Sequence, residues 1–255
     1  MENKRGQILL ITVMLLATAM TIVLSISFKS VTETQVTKLE EESQKALAAA
    51  ESAIEAALKE NTNVVFGSSA SLSSITGFSG GATIDTATST KFTSPSIIKD
   101  GSYTFYLGDY NSTTKEIDNS DPNNDIILCF QSATPDPPAI EVTLVKSSGV
   151  KKYVVDPDGR ITYAENGLPP PTCPSGYSFS TDILGTDIEA DGKFLLVRVL
   201  YAPTKLLFSA DDDLPRQGRT ITSEAKSSTS TGVSKKVVLF QSYPQIPSEF
   251  FVTSL

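Results

Sequence analysis

An uncharged apolar run at residues 8–28, ILLITVMLLATAMTIVLSISF, constrains this chain more than any other feature of its sequence. As a helix, its 21 residues rise about 30 Å, which is the thickness of the hydrocarbon core of a bilayer. Lys4 and Arg5 precede the run, and positive charge favours retention in the cytoplasm. We therefore expect a single-pass membrane protein with its N-terminus in the cytoplasm, span limits at Ile8 and Phe28, and the rest of the chain exported.

The helix is predicted to continue well beyond the membrane span. No glycine or proline occurs between Gln7 and Glu60, and apolar or small residues recur at steps of three and four along residues 29–60. The pattern predicts one helix from about residue 8 to about residue 60, with a transmembrane half at 7–28 and an amphipathic half at 29–60. The residues predicted to line its packing face are Val36, Leu39, Ser43, Leu47, Ala50, Ile54, Ala57 and Leu58.

The chain after residue 60 divides into a linker and a β-rich domain. Residues 61–81 are rich in Ser, Gly and Thr, which is typical of a linker, and the one strand-like run within them is at 64–66. Residues 82–255 contain short runs of branched and aromatic residues separated by turn sequences, which predicts a mostly antiparallel sheet. The expected fold class is α+β, a long N-terminal helix with a C-terminal antiparallel β-sheet head. The predicted strands are 103–107, 126–130, 140–145, 151–155, 161–163, 194–201, 206–208, 219–225 and 233–242.

The composition disfavours most catalytic chemistry. The sequence has no histidine, so it lacks the commonest general base and metal ligand, and its two cysteines are too few for a tetrahedral zinc site. The formal net charge of −8 disfavours binding to a phosphate backbone. We therefore expect no enzyme activity, no cofactor, no metal site and no nucleic-acid partner.

The two cysteines leave two alternatives open. Cys129 and Cys173 lie in the part of the chain expected to be exported, where disulfides persist. They either pair with each other or leave Cys129 as a buried free thiol within the apolar run I-I-L-C-F.

An acidic stretch also permits two interpretations. Asp187, Glu189, Asp191 and Gly192 have the spacing that begins a calcium-binding loop, but Arg198 stands at the twelfth place, where such a loop has Glu. The alternative is a solvated acidic turn with no bound ion.

The N-terminus carries a resemblance to a known family. The residues K-R-G-Q-I-L-L-I-T-V at 4–13 form a short basic leader that ends in Gly and is followed by an unbroken hydrophobic helix. This arrangement resembles type IV pilin-like proteins and, more narrowly, is similar to the PilX N-terminal group of minor pilins and the related secretion pseudopilin GspK. The run E-E-E-S-Q-K-A-L-A-A-A-E-S-A-I-E at 40–55 resembles the stretch that those proteins carry just outside the membrane.

The resemblance implies how the chain is processed and what it assembles with. A prepilin peptidase would remove leader residues 1–6 by cutting between Gly6 and Gln7, and the new N-terminus would be methylated. Ile11 stands at the fifth mature position, where major pilins carry Glu, which agrees better with a minor subunit. The implied partners are other pilins and minor pilins, the prepilin peptidase, the inner-membrane assembly platform and membrane lipid, with the head on the pilus or cell surface after assembly.

Other interpretations of the same N-terminus remain open. The apolar run could be an unprocessed signal anchor, or a secretory signal peptide cut after Ala19, which would leave an exposed apolar N-terminus. At the level of function, the alternative to a minor pilin or pseudopilin is a membrane-anchored surface binding or adhesin module that does not polymerise. An exported enzyme is the least favoured of the three functions.

Overall fold

The computed structural model describes residues 5–118, 124–131, 136–162, 164, 173–229 and 232–247. Within these residues, the long helix is followed by twelve strands, a short second helix and a 3₁₀ turn at Ala70–Leu72. In chain order the helices and strands are α1 (Arg5–Glu60), β1 (Val64–Val65), β2 (Phe78–Asp85), β3 (Ser89–Thr93), β4 (Ser102–Tyr106), β5 (Ile126–Phe130), β6 (Ala139–Lys146), β7 (Gly149–Val155), β8 (Phe179–Ile183), α2 (Gly185–Ile188), β9 (Gly192–Leu200), β10 (Leu206–Leu214), β11 (Gly218–Ser227) and β12 (Ser234–Ser242).

The chain forms two compact units, and segments of the two units alternate along the sequence. The first unit comprises Met1–Ile84 and Ile221–Leu239, and the second comprises Asp85–Thr220 and Phe240–Leu255. This division differs from the single head at 82–255 that the sequence predicts. The long apolar N-terminal helix and the antiparallel strand pairings confirm the α+β class.

The helix α1 is continuous across the end of its apolar run. It passes through Phe28 without a break and ends at Glu60, where Asn61 takes a left-handed φ of 54°. Such a residue commonly terminates a helix, because the left-handed backbone turns the chain away from the helix axis. The prediction of one helix through about residue 60 is therefore confirmed over the described residues.

In the first unit, the last turns of α1 share a core with a sheet in the order β1-β2-β11-β12. The helix contributes mainly alanines to this core. Four fully buried alanines follow one another at steps of four, three and four residues, which places them on one face of the helix: Ala46, Ala50, Ala53 and Ala57. Leu47, which the sequence predicts on the packing face, is instead 38% exposed. Small side chains leave room beside the helix for larger residues of the same core. Those include Val64, Phe66, Leu72 and Ile221.

Residues 61–81 contribute ordered structure to the first unit, although their composition predicts a linker. They contain β1, the 3₁₀ turn and the start of β2, and Leu72 is buried in the core. Gly80 and Gly81, which read as loop glycines in the sequence, lie inside β2. A Cβ atom at these positions would collide with the carbonyl oxygens of Glu224 and Val64, so the glycines allow neighbouring strands to approach closely.

The second unit is a sandwich of two four-stranded sheets. Their strand orders are β3-β10-β5-β8 and β4-β9-β6-β7, and side chains from both sheets form one buried cluster. The rings of Phe105 on β4 and Phe208 on β10 stack with centroids 4.0 Å apart across this core. The strand at 126–130 matches its prediction, whereas β10 continues six residues beyond the predicted end at Phe208. No strand forms at the described residues Ile161 and Thr162, and Tyr163 lies outside the described residues.

Candidate membrane and assembly helix

The residues predicted for processing lie at the start of the described part of α1. Arg5, Gly6 and Gln7 are helical, while Lys4 lies outside the described residues. The Gly6–Gln7 peptide bond therefore lies within helical backbone.

The apolar part of α1 has no protein cover. Every side chain from Leu9 to Phe28 is exposed, with Leu9 at 70% and Phe28 at 71%. Among the described residues, α1 is the one helix that is long and apolar enough to cross a membrane. A monomer in water would expose this whole surface, so the segment requires lipid or other protein around it.

Two threonine hydroxyl groups inside the apolar segment are satisfied by the helix itself. Thr18 Oγ1 donates to the Leu15 carbonyl at 2.9 Å, and Thr21 Oγ1 donates to the Thr18 carbonyl at 2.8 Å. Because these donors are already bonded, they add little cost when the helix is surrounded by hydrocarbon.

Between the apolar segment and the sheet, α1 has a stretch with exposed side chains on all sides. Residues 29–41 are all exposed, and Val31, Val36 and Leu39 interrupt a surface that is otherwise charged or polar. Ion pairs along this stretch include Lys29–Glu33 at 3.8 Å and Glu41–Lys45 at 2.8 Å. Exposed i,i+4 pairs of this kind contribute a few tenths of a kcal/mol each, about 0.3–0.5.

Glu42 joins α1 to the sheet of the first unit where the exposed stretch ends. Its Oε2 accepts hydrogen bonds from Ser227 Oγ at 2.8 Å and Thr229 Oγ1 at 3.0 Å. These bonds, together with the nearby Lys45 ammonium, hold the pKa of the Glu42 carboxyl below its usual value of 4.5. The ionised carboxylate is therefore the form that binds the end of β11.

The second unit carries a disulfide between Cys129 on β5 and Cys173. Their Cα atoms are 6.1 Å apart and their sequence separation is 44 residues. In the chain-entropy description, closing a loop of this size stabilises the folded state by about 4 kcal/mol. A disulfide of this kind persists in oxidising compartments rather than in the cytosol.

The acidic stretch at 187–191 is occupied by protein groups. Lys151 Nζ forms an ion pair with Asp187, and Tyr153 Oη donates a hydrogen bond to the same carboxylate at 2.7 Å. These contacts lower the pKa of Asp187, with Lys151 as the larger cause. Glu189 pairs with Lys146 at 3.3 Å, so two of the acids are neutralised by lysines. Among the described residues, no group of three metal-ligating side chains is found.

One edge of the sandwich is closed by glutamine side chains. β4 is an edge strand, and its Thr104 N–H donates to Gln245 Oε1 at 2.8 Å. Tyr106 N–H donates to Gln217 Oε1 at 2.8 Å, and Gln217 Nε2 donates back to the Tyr106 carbonyl at 2.8 Å. Each amide thus takes the place of a neighbouring strand, which removes the free hydrogen-bonding edge.

The segment that supplies Gln245 is also fixed by Tyr106. Tyr106 Oη donates to the Pro244 carbonyl at 2.6 Å, and its ring lies 5.5 Å from that of Tyr243. Burial, and to a lesser extent the neighbouring Tyr110 and Tyr243, raise the pKa of Tyr106 to about 12. The phenol therefore stays protonated and keeps donating at all physiological pH values.

A groove of about 450 Å³ lies within the second unit beside β3, an edge strand of the other sheet. Its walls come from β3 and from the chain between β10 and β11, and the rings of Phe92 and Phe240 line it with centroids 6.0 Å apart. Two basic residues, Lys91 and Arg216, also line the groove.

Sequence patterns miss several of these features for one reason. The groove, the glutamine contacts and the pair of hydrogen bonds to Glu42, called the Glu42 clamp below, join residues far apart in the chain. Examples are Glu42 with Ser227 and Tyr106 with Gln217. Only the apolar segment and its helical continuation have a local signal, because they are set by residue type and spacing along one element.

No family model matches the chain, and no curated protein matches it.

Proposed function

We propose that this protein is a minor type IV pilin or pseudopilin-like subunit, which enters or primes a pilus or secretion filament through α1. The observation that carries the proposal is the continuity of α1 with an uncovered apolar segment at its front and a sheet packed only on its last turns. A helix used only as an anchor needs about 20 residues, and α1 has 56.

The mechanism is an exchange of neighbours around one rigid helix. In the membrane, residues 8–28 contact lipid. In a filament they contact the same segment of adjacent subunits. Both environments suit an apolar surface on which the Thr18 and Thr21 hydroxyls are already bonded within the helix. The exposed apolar residues Val31, Val36 and Leu39 extend this surface beyond the membrane thickness.

The disulfide of the second unit supports export, because disulfides persist in oxidising compartments. The basic residues Lys4 and Arg5 before the span favour a cytoplasmic N-terminus. The prepilin peptidase, the assembly platform and other pilins are the proposed partners.

Mass spectrometry of the mature N-terminus tests the processing step. The protein is expressed with and without a prepilin peptidase. A peptidase-dependent start at methylated Gln7 supports the proposal, while an intact leader in both hosts contradicts it. A Gly6→Leu variant should keep its leader in the presence of the peptidase, because a larger side chain replaces the residue read at the cleavage site.

Photo-crosslinking tests the assembly step separately. A photo-reactive amino acid at Leu24, which is exposed in the apolar segment, should crosslink to other pilins in sheared filaments. The same amino acid at Lys205, which is exposed in the second unit, serves as the control for nonspecific crosslinking. Processed protein that crosslinks to no pilin at Leu24 contradicts assembly.

The second candidate function is a membrane-anchored binding module that does not polymerise. The groove beside β3 is the observation that favours it. An intact leader combined with a head that binds a ligand would select this function over the first.

A further inference from the structure

The two edge strands on one side of the sandwich differ in their free backbone groups. Phe92 on β3 packs against Tyr103 and Phe105 on β4, so the two edges lie on the same side of the core. The edge at β4 is closed by Gln217 and Gln245, as described above. The edge at β3 has no such cover among the described residues.

Hydrogen-bond alternation identifies which groups of β3 are free. Ser94 N–H donates to the Leu206 carbonyl at 2.8 Å, and Phe92 opposes Phe208 two residues earlier. Because bonded pairs alternate along an antiparallel ladder, Phe92 faces β10, whereas the N–H and C=O of Lys91 and Thr93 point away from it. Lys91 N–H is bonded locally to Ser89 Oγ at 3.2 Å, and the main chain of Thr93 has no partner among the described residues.

The free edge of β3 borders the groove, whose other wall is the chain from Leu214 to Gly218. All the lining residues belong to the second unit. The walls thus combine an unpaired strand edge with an apolar floor formed by Phe92 and Phe240. This combination suits an extended peptide, which pairs its backbone with the edge and places alternate side chains in the groove.

The charge of the groove differs in sign from that of the chain. Lys91 and Arg216 are exposed, and neither forms an ion pair with a described residue. The acidic lining residue, Asp85, already accepts a hydrogen bond from Ala87 N–H at 2.9 Å. On a chain with a formal net charge of −8, two unpaired cations at one groove favour an acidic occupant.

We propose that this groove binds an extended acidic segment of a partner protein, which adds to β3 as an antiparallel or parallel strand. Main-chain bonds to the Lys91 carbonyl and to the N–H and C=O of Thr93 fix the segment. Carboxylates of the segment pair with Lys91 and Arg216, and an apolar side chain contacts Phe92 and Phe240. The inference concerns the second unit alone and does not depend on filament assembly, so it can fail while the proposed function stands, and the reverse.

The test uses the full-length protein in detergent micelles and a blocked, fluorescein-labelled peptide of alternating glutamate and valine, as long as β3. Binding is followed by fluorescence anisotropy. Reversing both charges, with Lys91→Glu and Arg216→Glu, should weaken binding about tenfold or more. The matched control Lys205→Glu makes the same charge change at an exposed lysine outside the groove and should change affinity by less than about twofold.

A backbone variant separates strand pairing from simple charge attraction. Thr93→Pro removes an N–H that points away from β10, so it should weaken peptide binding about tenfold while leaving the ladder between β3 and β10 intact. Unchanged thermal unfolding shows that this variant is folded. In the unmodified protein, bound peptide should slow hydrogen exchange at the Thr93 amide.

A charge-swapped peptide provides the rescue. A peptide of alternating lysine and valine should bind the double charge-reversal variant better than it binds the unmodified protein. Two results overturn the proposal. One is the absence of saturable binding at about 1 mM peptide. The other is equal binding by free glutamate with no effect of Thr93→Pro, which would mark a site for small anions instead.

Discussion

The helix α1 has two stretches rich in apolar residues, and they differ in side-chain size and in cover. Residues 9–28 carry leucine, isoleucine, methionine and phenylalanine, and none of these side chains is buried. Residues 46–57 carry mainly alanine, and their alanine stripe is buried against the sheet of the first unit. Large apolar side chains therefore remain available for lipid or neighbouring helices, whereas small ones allow close packing within the subunit.

This comparison shows that apolar character alone does not identify the packing surface of a helix. Leu47 is larger and more apolar than Ala46 or Ala50, yet it is the one that is exposed. What decides burial is the direction of the side chain around the helix and the room that the opposing strands leave, because interiors are close-packed.

The largest effect is expected from a charge placed in the first apolar stretch, residues 9–28. Leu16→Arg places a charge near the middle of the apolar segment, which costs about 3 kcal/mol in a bilayer and shifts insertion by about a hundredfold. The variant should be released from membranes by alkaline carbonate. Leu39→Arg makes the same change on an exposed residue beyond the segment and should stay membrane-bound. Equal release of both variants would contradict a span ending at Phe28.

A smaller effect is expected in the buried stretch. Ala53 is fully buried against the sheet, so Ala53→Leu should overpack this contact and destabilise the first unit by about 2 kcal/mol. Faster hydrogen exchange at the amides of residues 46–57 would report the loss. Ala48→Leu is the matched control, since Ala48 is exposed on the same turns and should tolerate the larger side chain. Equal exchange in both variants would mean that the alanine stripe does not hold the helix.

The smallest effect concerns the Glu42 clamp between the two stretches. Hydrogen bonds from Ser227 and Thr229 lower the pKa of Glu42 in the folded protein, so its contribution is present above the unfolded value of 4.5 and is lost as pH falls through the lower folded value. Glu42→Gln should therefore increase exchange near residues 42–46 at neutral pH, and this difference from the unmodified protein should disappear at an acid pH below the lowered folded pKa.

Glu51 provides the control for the clamp. It is exposed on the same helix and has no hydrogen bond or ion pair with the rest of the described chain, so Glu51→Gln should leave exchange unchanged at both pH values. A difference between Glu42→Gln and the unmodified protein that persists unchanged into acid would contradict the carboxylate as the bonded form.

The sequence predicts the helix better than the rest of the fold. The absence of glycine and proline between Gln7 and Glu60 is a local signal, and α1 follows it. The composition of residues 61–81 predicts a linker, but its glycines have another role. Gly80 and Gly81 lie in a strand and allow the neighbouring strands to approach closely. A local sequence pattern does not show whether the backbone groups of an edge strand are covered. Gln217, for example, lies far in sequence from the Tyr106 backbone that it covers.

The sequence by itself determined a long helix with an uncharged, membrane-thick apolar segment, because helix continuity and apolar length depend on residues adjacent in the chain. Only the tertiary structure decided that alanines rather than Leu47 face the sheet, that Cys129 meets Cys173, and that β3 keeps an open edge while β4 does not. Those outcomes depend on which distant segments come together, and pairing across long sequence separations is set by packing rather than by local pattern.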